Sequence, residues 1–254
     1  VGGRVVGRQL LTTRTPIQGV LFDFYGTLAR ATAWGDTHAA VFARHGLDYD
    51  EAAWTDRWVG GAIDGEDHPE HSGSRELYQA WEHHRLRTRA TSVGVPAPAL
   101  DGLVLDLYQA SKNYSLSPYD EAVGVLTELR SRNISVGICS NWDWDLDQAV
   151  ASVGLSDLVD IAITSAQAGA RKPHSRIFEY TLERFGLLPE ETLFVGDTWG
   201  ADVEGPLTAG MPAVHLWRSD RSDVQNLKTL PAGAHRVNDL RGVLDLTAAE
   251  PTKG

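Results

Sequence analysis

The 254-residue sequence holds a single cysteine, Cys139, so no intramolecular disulfide can form. That scarcity fits a reducing, cytoplasmic setting. No apolar run approaches the ~20 residues of a membrane span, so no membrane segment is expected. Positive charge is scarce too: 23 Lys and Arg stand against 34 Asp and Glu, for a net charge of -11. Nucleic acid and anionic membranes both require a basic surface, so neither is an expected partner. A small phosphorylated molecule is not excluded, because local charges and a metal ion can hold a phosphate on an acidic protein. Residues 1–16 carry Arg4, Arg8 and Arg14 but lack the compact apolar core of a signal peptide, and read as a flexible leader. Residues 247–254 are small and polar and read as a flexible tail. The expected assembly is a monomer or homodimer.

What is present is a repeated pattern of short apolar runs ending in polar turns. Gly19-Val20-Leu21-Phe22-Asp23-Phe24 leads into Tyr25-Gly26-Thr27. Ile134-Ser135-Val136-Gly137-Ile138-Cys139 leads into Ser140-Asn141, and Glu191-Thr192-Leu193-Phe194-Val195 into Gly196-Asp197. Residues 211–217 form a fourth run and residues 160–164 a weaker fifth. Continuous rather than alternating apolar runs suit parallel strands buried on both faces. Helical periodicity separates them at 121–132, 146–153 and 174–185, the last preceded by Pro173 and followed by Gly186. Alternation of this kind predicts an α/β fold with a Rossmann-like parallel sheet.

Residues 32–118 break the alternation. Helices are expected there at 35–45, 50–59, 74–93 and 99–111, around a polar, glycine-rich piece at 60–69. The chain therefore reads as an α/β core at 17–31 and 119–246 with a helical insert at 32–118.

Ligands of open parallel sheets bind beyond the carboxyl ends of the strands. Four polar features fall at such ends: Asp23, Ser140-Asn141, the Arg171-Lys172-Pro173 turn, and Asp197 with Asp202. One aspartate after a strand is commonplace and is usually structural. Four features in this order are not. Asp23-Phe24-Tyr25-Gly26-Thr27-Leu28, Ile138-Cys139-Ser140-Asn141, Arg171-Lys172-Pro173 and Gly196-Asp197-Thr198-Trp199-Gly200-Ala201-Asp202 resemble, in turn, the four motifs of the haloacid dehalogenase superfamily. Ser140-Asn141-Trp142-Asp143 and Gly169-Ala170-Arg171-Lys172-Pro173 are closest to its HDHD3-like branch. The resemblance implies that residues 32–118 are a C1 helical cap.

It also implies a mechanism. Asp23 would be the nucleophile of a Mg²⁺-dependent phosphatase, since a carboxylate needs no activating base but does need a cation to approach a phosphate. Asp23 and Asp197 would be side-chain metal ligands and the Tyr25 carbonyl a third. Asp202 would act directly, through water, or through Lys172, which balances charge. Ser140 and Asn141, the latter through its backbone N–H or amide, would cradle the phosphate, and Phe24, Gly26, Thr27 and Lys172 would bind the substrate with them.

One position departs from the pattern. Family phosphatases carry a second aspartate two residues after the nucleophile as general acid and base. Here it is Tyr25. A phenol, ordinarily titrating near ~10, is a poor donor at neutrality, and loss of such a group typically costs ~10²–10⁴-fold in rate. His38, His45, His68, His71, His83 and His84, in or near the insert, are alternative donors, although each on its own reads as a surface or structural histidine. The Asp-x-Tyr-Gly-Thr-Leu form is shared with metal-independent 2-haloacid dehalogenases, in which Asp23 would attack carbon. Those enzymes replace the glycine–aspartate pair of the fourth motif, whereas Gly196-Asp197 and Asp202 are intact here. The phosphatase reading is therefore favoured. The dehalogenase and a non-catalytic phosphometabolite-binding protein are the alternatives. Of the eight tryptophans, Trp54, Trp58 and Trp81 are expected to pack the insert, and Trp142, Trp144 and Trp199 to lie near the site, as an aromatic wall or as sheet-edge packing.

Overall fold

A computed structural model of the chain describes residues 15–56, 65–218 and 228–248. Residues 1–14 of the expected 1–16 leader, Trp58, part of the glycine-rich piece and residues 249–254 of the expected tail lie outside the described residues.

The centre is a six-stranded parallel sheet of order β5-β4-β1-β6-β7-β8. Its strands are β1 (Gly19–Phe22), β4 (Ser135–Ser140), β5 (Ile161–Thr164), β6 (Thr192–Gly196), β7 (Ala213–Leu216) and β8 (Ala234–Val237). β1, every residue of which is buried, pairs β4 on one side and β6 on the other. After β1 the chain builds β4 and β5 on one side of it and then crosses to β6, β7 and β8 on the other, so the crevice beyond the carboxyl end of β1 is the natural ligand position.

Helices α5 (Ala122–Ser131), α6 (Leu146–Ser152), α7 (Ser165–Ala168), α8 (Ser175–Phe185), α9 (Gly205–Thr208) and α10 (Arg241–Leu246) cover the sheet. They seal two apolar clusters, one around Val20, Phe22, Leu126 and Val195, the other around Leu21, Phe178 and Phe194. α8 ends at Gly186, which takes the left-handed conformation expected of a stop. Thr247, assigned from sequence to the tail, is buried and its hydroxyl bonds the Val243 carbonyl at 3.3 Å.

The insert contains α1 (His38–Arg44), α2 (Glu51–Asp56), α3 (Arg75–Ser92) and α4 (Ala97–Lys112), close to the expected spans. Thr37 and Ser74 cap α1 and α3 through side-chain bonds to the Ala40 and Leu77 amides. Val41, Phe42, Trp54, Leu103 and Leu107 give these helices an apolar cluster of their own. Trp54 is thus a packing residue, with Arg89 stacked 4.0 Å over its ring.

Two features of the insert depart from the sequence expectation. Its ends are strands: β2 (Ala29–Trp34) and β3 (Tyr114–Pro118) form an antiparallel ribbon. The expected boundary at 31/32 therefore cuts a strand. The ribbon is half exposed and irregular, so it lacks the continuous apolar run that marked the core strands. The segment 65–68 also runs antiparallel to the turn holding Lys172. His68 N donates to Gly169 O at 2.7 Å, Arg171 N to Glu66 O at 2.8 Å and Gly65 N to Lys172 O at 3.2 Å. Among the described residues, no helix is long and apolar enough to cross a membrane.

Candidate active site

Asp23 follows β1, Ser140 ends β4 and Asp197 follows β6, so three adjacent strands deliver their polar ends to one crevice. The Asp23 amide extends the β1–β6 pairing by donating to Val195 O at 2.8 Å. Ser140 Oγ and Lys172 Nζ each donate to Asp23 Oδ1 at 2.8 Å, and this pair of bonds fixes the carboxylate's orientation. Lys172 Nζ also donates to Asp202 Oδ1 at 2.6 Å, and the Thr198 amide donates to Asp202 Oδ2 at 2.9 Å. Asp202 is presented by the π-helical segment Trp199–Glu204, whose wide turn buries it beneath the site.

The electrostatics follow from burial. Desolvation alone would push the Lys172 ammonium down, but the Asp202 and Asp23 carboxylates reverse this and hold it above the ordinary lysine value. Burial pushes the Asp202 carboxyl up, and Lys172 and the Thr198 amide act against it.

Oxygen atoms of Asp23, Asp197 and Asp202 all lie within 4.8 Å of one another. Three carboxylates facing one ammonium leave an excess of negative charge, and an all-oxygen donor set suits a hard divalent cation. Two glycines make the cluster possible. A Cβ on Gly26, at φ +87°, would meet Asp197 Oδ2 at 2.6 Å, and one on Gly196 would meet the Asp202 carboxylate at 2.3 Å. These residues fit a metal.

Asn141 also serves the neighbouring turn. Its side chain clamps the Lys172 backbone, accepting from Lys172 N at 2.7 Å and donating to Lys172 O at 3.1 Å. The residue lines the crevice, and its side-chain amide positions the lysine turn. Phe24, Gly26 and Thr27 do not line the cavity above Asp23. The Phe24 ring is fully buried against Trp142, and the Thr27 carbonyl accepts from Arg218 Nη2 at 2.9 Å, which ties down the loop.

The cavity measures about 440 Å³ and brings Asp23, Ser140, Asn141, Lys172 and Asp202 together with side chains of the insert. Six rings line it: Tyr25, Trp34, Tyr78, Tyr108, Tyr114 and Trp142. Of the three tryptophans expected near the site, only Trp142 reaches it. None of the six insert histidines lines it. His38 bonds Trp54 and His45 bonds Asp106 instead. Sequence reasoning also missed the lining residues Glu82, Lys112 and Asp143, and gave Arg171 no role of its own. Asp143 pairs with Lys112 and accepts from Tyr108 Oη, and burial raises the Glu82 carboxyl. The available signal was adjacency: Asp143 and Arg171 stand inside the quoted motifs, and Trp34 and Tyr114 mark the ends of the insert.

The family model for haloacid dehalogenase-like hydrolases matches residues 17–210, and the chain belongs to that family. The chain is 31% identical over 143 residues to a glyceraldehyde 3-phosphate phosphatase of Methanothermobacter thermautotrophicus, covering 53% of this chain and 62% of that protein. It is 28% identical over 219 residues to human haloacid dehalogenase-like hydrolase domain-containing protein 3, covering 78% of this chain and 81% of that protein. The alignments thus span about 60% of the length of the archaeal phosphatases they match. Among solved structures, a phosphatase from Thermococcus onnurineus superposes with a TM-score of 0.57 at 21% identity, over 91% of this chain and 97% of that one. L-2-haloacid dehalogenase from Xanthobacter autotrophicus does so with a TM-score of 0.52 at 23% identity, over 91% and 98%. Both share the fold.

Proposed function

We propose that this chain hydrolyses a small phosphomonoester with Mg²⁺, through an aspartyl-phosphate on Asp23, with α1–α4 as a C1 cap over the site. The observation that carries the reading is the convergence of Asp23, Asp197 and Asp202 with Lys172 at the carboxyl edge of the central strands. The phosphatase name of the archaeal relative supports it.

Asp23 and Asp197, with the Tyr25 carbonyl, would hold the metal. When bound, Mg²⁺ neutralises phosphate charge and stabilises the charge of the transition state. Asp23 attacks phosphorus, its orientation fixed by Ser140 and Lys172. Ser140 then transfers its hydroxyl bond to a phosphate oxygen. Lys172 bridges the nucleophile and Asp202 and screens their mutual repulsion, and Asn141 holds the Lys172 backbone. Water attacks the acyl phosphate, releasing inorganic phosphate and restoring Asp23.

The dehalogenase reading shares the nucleophile, but the carboxylate cluster opposes it. Asp197 and Asp202 would repel a haloacid's own carboxylate. The test is phosphate release from a metabolite panel with Mg²⁺ and with EDTA. The expected result is metal-dependent release that Asp23→Asn reduces below detection. Release that survives EDTA or Asp23→Asn would overturn the reading. Halide release from 2-chloropropionate without metal would favour the dehalogenase.

A further inference from the structure

The rings of the cavity form a row. Tyr25 lies 5.7 Å from Trp34, Trp34 6.2 Å from Tyr114, Tyr114 5.6 Å from Trp142, and Trp142 5.4 Å from Phe24, centroid to centroid. The row starts at Tyr25 on the loop of the nucleophile, crosses the β2–β3 ribbon and returns through Trp142 to Phe24, which is buried behind the cavity wall. Trp34 and Tyr114 are directly opposed across the ribbon. Its mouth is open: Trp34 is 65% exposed and Tyr25 39%. Large exposed rings carry a hydration cost, and a planar ligand stacked on them removes it.

The same row contains the position where family phosphatases carry their acid. A phenol there protonates a departing alkoxide poorly at neutral pH. It does offer a ring face beside the breaking bond.

We infer that the substrate is an aryl or heteroaryl phosphate, whose aromatic leaving group stacks on Tyr25 and Trp34. The inference rests on the phosphatase reading and names its substrate class. Asp23 forms the new O–P bond, the P–O(aryl) bond breaks, and the aryloxide leaves with the electron pair and takes a proton from solvent. An aryloxide is a far more stable anion than an alkoxide, so this step needs no acid at position 25. Water then cleaves the acyl phosphate. The products are a phenol-type alcohol and inorganic phosphate.

The test compares phenyl phosphate, a nucleoside 5′-monophosphate and glycerol 3-phosphate with the Mg²⁺-loaded protein. The nucleotide has a ring but an alkyl leaving oxygen, so it separates stacking from leaving-group chemistry. We expect phenyl phosphate to exceed glycerol 3-phosphate in kcat/KM by at least ~100-fold, the scale of a missing acid. Trp34→Ala should raise KM for phenyl phosphate about tenfold, the scale of one aromatic contact, with kcat little changed. Tyr25→Asp should narrow the aryl-to-alkyl ratio by raising alkyl turnover. Equal turnover of the aryl and alkyl esters would overturn the inference.

Binding to the Asp23→Asn protein provides an independent arm, read as quenching of tryptophan emission. Phenyl phosphate should quench, glycerol 3-phosphate should not, and Trp34→Ala should abolish the effect. If no ester is hydrolysed but this pattern holds, the phosphatase reading fails and the ligand class stands. Equal response to the two esters, or none to either, overturns the ligand class.

Discussion

Lys172 is fully buried between two carboxylates, 2.8 Å from Asp23 Oδ1 and 2.6 Å from Asp202 Oδ1. A buried ion pair adds little net stability over an apolar replacement of both partners, but removing one partner leaves the other charge desolvated and unmatched. Lys172→Met removes the one ammonium that, among the described residues, bonds this cluster, which also contains Asp197. We expect it to cost about 3–5 kcal/mol, measured by urea unfolding without metal. Phosphate release should fall with it. A variant as stable as the parent would show that Lys172 does not balance this charge.

At the scale of elements, the ribbon and the 65–68 segment join the helical insert to the sheet. The second junction contains His68, which is 1% exposed, contacts Ser72 Oγ at 3.1 Å and packs against Trp81. Burial lowers its pKa from 6.5 to about 4, with Arg171, Arg85 and His71 adding to the effect and a backbone bond opposing it. The native ring stays neutral while the unfolded one takes up a proton below its ordinary value. Stability from this site is therefore complete above about pH 6.5 and is lost as pH falls toward about 4, by up to about 3 kcal/mol. We expect the urea midpoint to drop between pH 7.5 and pH 5, and the drop to be smaller in His68→Gln. An equal drop in both proteins would assign the acid sensitivity to other groups.

For the whole molecule, the proposed metal site at Asp23, Asp197 and Asp202 would couple cation binding to folding. A cation bound only by the native state stabilises it by about 2.7 kcal/mol at 100 times its Kd. For a chain of this size that is a rise in Tm of several degrees. We expect Mg²⁺ to give such a rise, EDTA to reverse it, and Asp197→Asn to abolish it. An unchanged Tm would place the metal elsewhere or remove it from the mechanism.

The core strands and the four strand-end motifs were legible because their signals are local. An apolar run, a polar turn and a helix start lie within about ten residues of each other, and parallel pairing buries the run on both faces. Asp23, Ser140, Lys172, Asp197 and Asp202 could be named for the same reason. β8, α10 and the β2–β3 ribbon were missed because edge and half-exposed elements carry mixed sequences, stabilised by whatever they pair with. The role of Asn141 depends on a partner 31 positions away. The rings above Asp23 are gathered from residues as far apart as Tyr25 and Trp142. Sequence alone determined which polar residue types stand at the strand ends, and with them the proposed nucleophile and metal ligands, since chemistry restricts which side chains can serve. Only the tertiary structure decided what surrounds them, because packing joins residues whose separation along the chain leaves no periodic trace.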